Sequence, residues 1–84
     1  MKISVISPER TLYDGDATSV VAPAYDGELG ILAGHAPMTT LLGRGTLRVT
    51  RGGAEQRFSV DGGFLQVVDD VVRVVTEKAQ PLAP

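Results

Sequence analysis

The chain contains one histidine, His35, within the stretch DGELGILAGHAP that runs from Asp26 to Pro37. Histidine is the side chain that most readily exchanges a proton near neutral pH, so this stretch is the first place to look for catalysis. Serine hydrolysis would need a serine, this histidine and a carboxylate brought together. No serine lies in the G-x-S-x-G turn that exposes a nucleophile, and the absence of cysteine excludes thiol catalysis. The residues favour a structural or contact role for His35.

Metal and cofactor sites are equally poorly supported. Asp14-Gly15-Asp16 resembles the opening of a calcium loop, but the remaining ligand positions and the closing glutamate are missing, so it is interpreted as a turn. The glycines Gly27, Gly30 and Gly34 match no phosphate-binding motif, and Pro37 stands where a phosphate-binding helix would have to begin. We therefore predict no metal and no cofactor.

Two binding functions remain as alternatives. The 8 Lys and Arg residues are scattered and the net charge is −2, which disfavours a nucleic-acid partner. The segment TEKA faintly resembles the hairpin tip that carries a modified lysine in lipoyl and biotinyl carrier domains. Lys78 would be the modified residue, but too little chain follows it to supply the returning strands of such a domain.

The segments on either side of this stretch show a hydrophobic period of two. Segments such as KISVIS, TLRVTR and AEQRFSV alternate apolar and polar residues, and turn signals recur every eight to ten residues. Gly52-Gly53 and Asp69-Asp70 are predicted hairpin turns, and Asp61-Gly62-Gly63 is a further turn. Arg73 interrupts four valines and is interpreted as an edge or rim residue. This pattern predicts an all-β, antiparallel sandwich or barrel.

Length and composition predict a single domain over residues 1–84, with 79–84 as a tail. The chain has 84 residues, 43% of them apolar, which is enough for a compact core. No segment approaches the roughly 20 apolar residues that cross a bilayer, and the first residues do not form a signal peptide. The closing KAQPLAP contains two prolines, which oppose a helix.

The stretch DGELGILAGHAP has two open interpretations. Its glycines allow close approach of another chain, and Leu29, Ile31 and Leu32 form an apolar cluster between the polar residues Glu28 and His35. It could be a binding edge, or a corner that only turns the chain between sheets.

A longer segment, GELGILAGHAPMTTLLGRGTLRV from Gly27 to Val49, closely resembles the hallmark segment of the epsilon subunit family of F-type ATP synthases. VISPERTLYDGDATSVVAPAYDG before it and FSVDGGFLQVVDDVVRVVTEKA after it extend the resemblance to about residues 2–79. Ala33 replaces a usual proline, and the sequence does not continue into the helical hairpin that can restrain ATP hydrolysis in many members.

The resemblance implies a β-sandwich of about ten short strands that performs no catalysis. Such a subunit belongs to the rotor, or central stalk, of an alpha/beta/gamma/delta/epsilon complex. One face binds the gamma subunit and one end contacts the membrane c-ring, which couples proton translocation to ATP synthesis. We expect peripheral association with a bacterial inner membrane, on its cytoplasmic side and only through partners.

The resemblance also assigns roles to individual residues. Glu28 is the predicted c-ring contact. The alternative for His35, burial and hydrogen bonding within its own loop, stays open. The predicted gamma-subunit contacts are His35, Thr40 and Ser7, and the residues predicted to shape the loop are Gly27, Gly30, Gly34 and Pro37.

Overall fold

The computed structural model describes residues 1–83 and contains ten strands and no helix within them. The strands are β1 Lys2–Ile6, β2 Thr11–Asp16, β3 Ser19–Ala24, β4 Gly27–Leu32, β5 Met38–Leu41, β6 Arg44–Arg51, β7 Ala54–Asp61, β8 Phe64–Val68, β9 Val71–Val75 and β10 Lys78–Leu82. They form two five-stranded sheets, a first sheet of order β2-β1-β9-β8-β5 and a second of order β10-β7-β6-β3-β4. The predicted all-β sandwich of about ten strands is confirmed.

The pairing is antiparallel with one exception among the described strands. β1 and β9 run parallel, with Lys2 opposite Val71 and Ile6 opposite Val75. Parallel neighbours need a long crossover connection, and here the intervening strands provide it. The predicted antiparallel sandwich therefore contains one parallel pair, which joins the start of the chain to its penultimate strand.

The core lies between the two sheets and is formed by alternate residues of the strands. Ile3 and Val5 of β1 face Val72 and Val74 of β9 across the parallel pair, and all four are at most 1% exposed. The ring of Phe58 packs against Tyr13 in an edge-to-face contact, with centroids 6.5 Å apart and planes at 73°. The period-two pattern thus buries one face of each sheet.

The two predicted hairpin turns are present. Gly52-Gly53 joins β6 to β7 and Asp69-Asp70 joins β8 to β9, and all four residues have positive φ, between 52° and 86°. Positive φ at both central positions matches the right-handed twist of the flanking strands. Aspartate tolerates this conformation better than most residues, so the Asp-Asp turn is possible without glycine.

Two other sequence-based assignments differ from the structure. Asp14-Gly15-Asp16 is not a turn, because β2 continues through it to Asp16, with Gly15 opposite Ile3. β2 is an edge strand, where exposed carboxylates oppose pairing with other chains. Residues 79–82, expected to be a tail, belong to β10, where Pro81 stands opposite Phe58. Proline prevents a helix there but is tolerated in an edge strand.

Several connections pass from one sheet to the other. Asp61-Gly62-Gly63 links β7 of the second sheet to β8 of the first, so it is a crossing and not a hairpin. Thr76, 1% exposed, follows β9 at another crossing, and its Oγ1 lies 2.9 Å from the carbonyl oxygens of both Gly62 and Lys78. The hydroxyl can donate to one of them at a time. This contact ties the two crossings together.

The sandwich has two distinct ends. At the Tyr25 end, named for the exposed turn after β3, Tyr25 N donates to Leu41 O at 3.1 Å and Leu42 N donates to Gly63 O at 2.9 Å. At the Asp70 end, named for the β8–β9 turn, Lys2 N donates to Asp70 O at 3.1 Å. These ends determine which predicted contact residues can share a surface.

Candidate docking surface

The stretch DGELGILAGHAP consists of a strand followed by a connection. Residues 27–32 form β4, which is an edge strand of the second sheet and pairs only with β3. Residues 33–37 then lead into β5 of the first sheet. Each of the two open interpretations therefore describes one part of the stretch, since the first part is a sheet edge and the second turns the chain between sheets.

The glycines of this stretch differ in their backbone. Gly27 and Gly34 have φ of 133° and 82°, a region that favours glycine. Gly30 lies inside β4 opposite Val21 and is not a positive-φ glycine, so a role in loop geometry is wrong for this residue. Pro37 immediately precedes β5.

Glu28 is exposed on the outer face of the second sheet. Its Oε2 lies 3.4 Å from Nη2 of Arg48, which belongs to β6, and the side chains are 66% and 39% exposed. Solvent screens a pair this exposed, so it contributes at most about 1 kcal/mol to folding. The carboxylate is thus weakly held and accessible to a partner.

His35 lies in the 33–37 connection at the Asp70 end. It is half-buried, and its Nδ1 is 2.7 Å from Ala36 O, which accepts a hydrogen bond when Nδ1 carries the proton. Two hydrogen bonds donated by backbone N–H groups hold the 33–37 connection in place beside the imidazole. Gly34 N donates to Asp70 Oδ1 at 2.9 Å, and His35 N donates to Leu32 O at 3.2 Å. His35 therefore combines a hydrogen bond within its own loop with partial exposure.

Thr40 and Ser7 are the other predicted gamma contacts. Thr40 is half-buried in β5 and stands opposite the buried Leu65, so its side chain lies on the core side of an edge strand. Ser7 is only 6% exposed, and its hydroxyl donates to Arg10 O at 3.2 Å. The fold gives Ser7 a local role in the turn after β1.

The fold does not bring these four residues to one place. Glu28 is near the start of β4, and His35 follows the end of that strand, with about 13 Å of strand between Glu28 and Leu32. Ser7 follows β1 and Thr40 lies in β5, three strand spacings or about 14 Å apart in the first sheet. Any docking function must therefore use more than one surface.

A surface that the sequence did not reveal lies between Ser7 and Thr40. We call it the apolar face: the outward-facing apolar side chains of the first sheet. One row runs across the sheet through directly paired residues of four strands. The members of that row are Leu41, Phe64, Val75 and Ile6, and a second row contributes Val68 and Val71.

The apolar face is unusual for an exposed sheet. Four of the seven exposed large apolar side chains among residues 1–83 belong to it, with exposures of 63% for Leu41, 39% for Phe64, 44% for Val68 and 42% for Val71. A solvated sheet face ordinarily carries polar residues, so two rows of exposed apolar side chains, separated by the polar row of Gln66, Arg73 and Ser4, mark a candidate interaction site. The signal in the sequence was the apolar-rich segments FLQVV and VVRVV, each interrupted by one polar residue, which periodicity alone cannot distinguish from a strand buried on both faces.

The other candidate chemistries find no support in the described part of the chain. No group of three or more His, Cys, Asp or Glu side chains could hold a metal ion within residues 1–83. Lys78 begins β10 opposite Asp61, and a carrier lysine would need a hairpin tip. None of the described residues belongs to a helix that could cross a bilayer.

Comparison with known proteins agrees with the fold. Residues 1–82 match the family described as ATP synthase, Delta/Epsilon chain, beta-sandwich domain. The ATP synthase epsilon chain of Rhodopirellula baltica is 50% identical over 78 residues, which is 93% of this chain and 61% of that protein. The epsilon chain of Frankia casuarinae is 44% identical over 95% of both chains. The chain thus spans about three fifths of the length of several curated relatives.

Solved structures give the same result. A chain of the Euglena gracilis mitochondrial ATP synthase, solved with the c-ring, has a TM-score of 0.86 and 28% identity over 94% of this chain and 51% of its own length. A chain from the Tetrahymena thermophila central stalk and c-ring has a TM-score of 0.82 at 16% identity, and it supports the fold alone. The family match, the curated relatives and the fold agree, and the chain therefore belongs to the delta/epsilon-chain family of ATP synthases.

Proposed function

We propose that this chain is a non-catalytic rotor subunit that docks the gamma subunit of an ATP synthase to its membrane c-ring. By keeping gamma and the ring turning as one body, it couples proton translocation to ATP synthesis. It works on the cytoplasmic side of a bacterial inner membrane and is held there by its partners. The relatives named above and the c-ring assembly in which the Euglena chain was solved support this proposal.

The observation that carries the proposal is the apolar face. A rotor joint must transmit torque without slipping, which requires a broad and rigid contact. The face belongs to a five-stranded sheet whose opposite side is the core, so it cannot deform without disturbing the core. We assign the gamma subunit to this face. Ser7 and Thr40 flank the two ends of its longer row, but Ser7 is buried and Thr40 lies on the core side, so we assign the direct gamma contacts to the apolar side chains of the row.

The c-ring contact is assigned to the Tyr25 end. Glu28 lies near that end, and Tyr25, 68% exposed, occupies the adjacent turn. A carboxylate beside an exposed aromatic ring suits the polar loops of a membrane ring, because the acid accepts hydrogen bonds and the ring supplies contact area. His35 lies at the opposite end of β4, so it contacts gamma and not the c-ring in this arrangement.

Copurification tests the proposed function. The chain, coexpressed with the gamma subunit of its own organism, is expected to elute with gamma as one stoichiometric complex in size-exclusion chromatography. A monodisperse mixture in which the two proteins elute separately would contradict the proposal.

Replacing Glu28 with arginine tests the c-ring contact. Glu28→Arg is expected to reduce ATP-driven proton pumping per ATP hydrolysed in membrane vesicles, because a cation would face groups that bind a carboxylate. The fold should stay intact, since only an exposed pair worth at most about 1 kcal/mol is lost. Glu55→Arg, at an exposed position of β7, makes the same charge change and should leave pumping normal. Normal pumping in Glu28→Arg would remove Glu28 from the contact.

A further inference from the structure

Arg73 stands at the centre of the apolar face. Its strand, β9, is the middle strand of the first sheet, so the interpretation of Arg73 as an edge or rim residue is wrong. Its side chain is exposed and lies on the outer face, because Val72 and Val74 on either side of it are buried. Gln66 of β8 and Ser4 of β1 are directly opposite it. Its directly paired neighbours are therefore neutral, and the nearby Lys2, which also faces outward on β1 two residues before Ser4, is another cation.

No partner within residues 1–83 balances this charge. The ion pairs of the described residues join Arg48 to Glu28 and the amino group of Met1 to Asp70, and no hydrogen bond of Arg73 is formed in that part of the chain. The nearest acid in the same row is Asp14 of β2, two strand spacings or about 10 Å away. In the free chain, water satisfies the five N–H donors of the guanidinium.

Docking of a partner changes the solvation of the Arg73 side chain. A partner that covers the apolar face removes water from Arg73, and a buried cation without an acceptor is strongly unfavourable. A guanidinium can donate two parallel hydrogen bonds to one carboxylate. A neutral acceptor could accept hydrogen bonds but would not neutralise the positive charge. An arginine at the centre of a patch, enclosed by apolar contacts that exclude water, is also typical of the residues that dominate binding energy.

We propose that the partner surface bound to the apolar face presents a carboxylate opposite Arg73, and that this pair selects the partner and fixes its orientation. The inference rests on the proposed function, since it takes the gamma subunit as the occupant. The charge pattern of the sheet supports it. Asp14 and Asp16 face outward along the β2 edge, so a partner acid is repelled at that edge and attracted at the centre.

Charge reversal at Arg73 tests the proposal. We expect Arg73→Glu to weaken the affinity for the gamma subunit roughly a hundredfold, because the variant places two carboxylates together in a water-poor interface. Arg73→Gln should weaken it about tenfold, because it leaves the partner acid without its cation. Affinity is measured by titration calorimetry with the gamma subunit of the same organism. Thermal melting of each free variant should match the unaltered chain, since Arg73 forms no side-chain hydrogen bond and no ion pair within the described residues.

A matched control and a rescue complete the experiment. Arg51→Glu makes the same charge change at the exposed β6–β7 hairpin and should bind normally. Acids on the gamma surface are changed one at a time to lysine, and one of them should restore binding to Arg73→Glu. If the unaltered chain binds gamma and Arg73→Glu binds equally well, this inference is wrong and the proposed function stands. If the unaltered chain does not bind gamma, the proposed function itself fails.

Discussion

Gly63→Ala is expected to remove most of the free energy of unfolding of the chain. A Cβ built on Gly63 would lie 2.0 Å from Val75 O and 2.6 Å from Thr76 Cα, and both are backbone atoms that cannot rotate away. Gly63 also has φ of 106°, which costs a residue with a side chain about 1–3 kcal/mol before any clash. We expect a total loss of about 4 kcal/mol or more, most of the stability of a domain this small.

Circular dichroism during heating measures this effect, and the neighbouring glycine provides the control. Gly62 has φ of 78°, but a Cβ there would meet only the flexible carboxylate of Glu77, at 3.3 Å. Gly62→Ala should therefore cost only about 1–2 kcal/mol and keep a cooperative transition. A Gly63→Ala protein as stable as Gly62→Ala would show that the two sheet crossings, after β7 and after β9, can move apart without loss of the fold.

Phe64→Lys is expected to reduce the affinity for the gamma subunit roughly a hundredfold. Phe64 lies in the longer row of the apolar face between Leu41 and Val75, and aromatic residues at the centre of an interface commonly contribute 2 kcal/mol or more to binding. Lysine would remove the ring and introduce a charge that docking must strip of water. Titration calorimetry of the gamma subunit against the variant measures the loss.

Leu82→Lys is the matched control for this substitution. Leu82 is 37% exposed, close to the 39% of Phe64, but it lies in β10 of the second sheet. Both variants should melt near the temperature of the unaltered chain, and only Phe64→Lys should lose gamma binding. An equal loss of affinity for gamma in the two variants, or a loss in Leu82→Lys alone, would show that gamma does not dock on the apolar face of the first sheet.

The sequence predicted local structure well where a single residue pair decides the conformation. The Gly52-Gly53 and Asp69-Asp70 hairpins were predictable, because positive φ at two successive positions restricts the residue types. Asp14-Gly15-Asp16 was predicted as a turn and is strand. Turn propensity is a local preference, and pairing of β2 with β1 overrides it, with Gly15 opposite the buried Ile3.

The candidate site was harder to predict than the fold. His35 and Glu28 were candidate contacts as the polar residues of a glycine-rich stretch, yet β4 separates them to opposite ends of the sandwich. The apolar face was not predicted, because the apolar residues of a strand do not show whether both of its faces are covered or only one, and Arg73 was assigned to an edge or rim. Assigning Arg73 to the middle of the sheet required the parallel pairing of β1 with β9, which no local pattern encodes.

Short strands joined by tight turns were predictable from the sequence, and its long glycine-rich motif identified the family. Alternation and turn chemistry act over a few residues, so they can be read directly from neighbouring positions. The tertiary structure was needed to show that the Asp61-Gly62-Gly63 turn crosses between sheets, which strands lie at the edges, and which outward faces carry apolar residues. Those features depend on contacts between residues distant in the chain, such as Gly63 against Val75 O and β1 beside β9, and it is these contacts that create the docking surface.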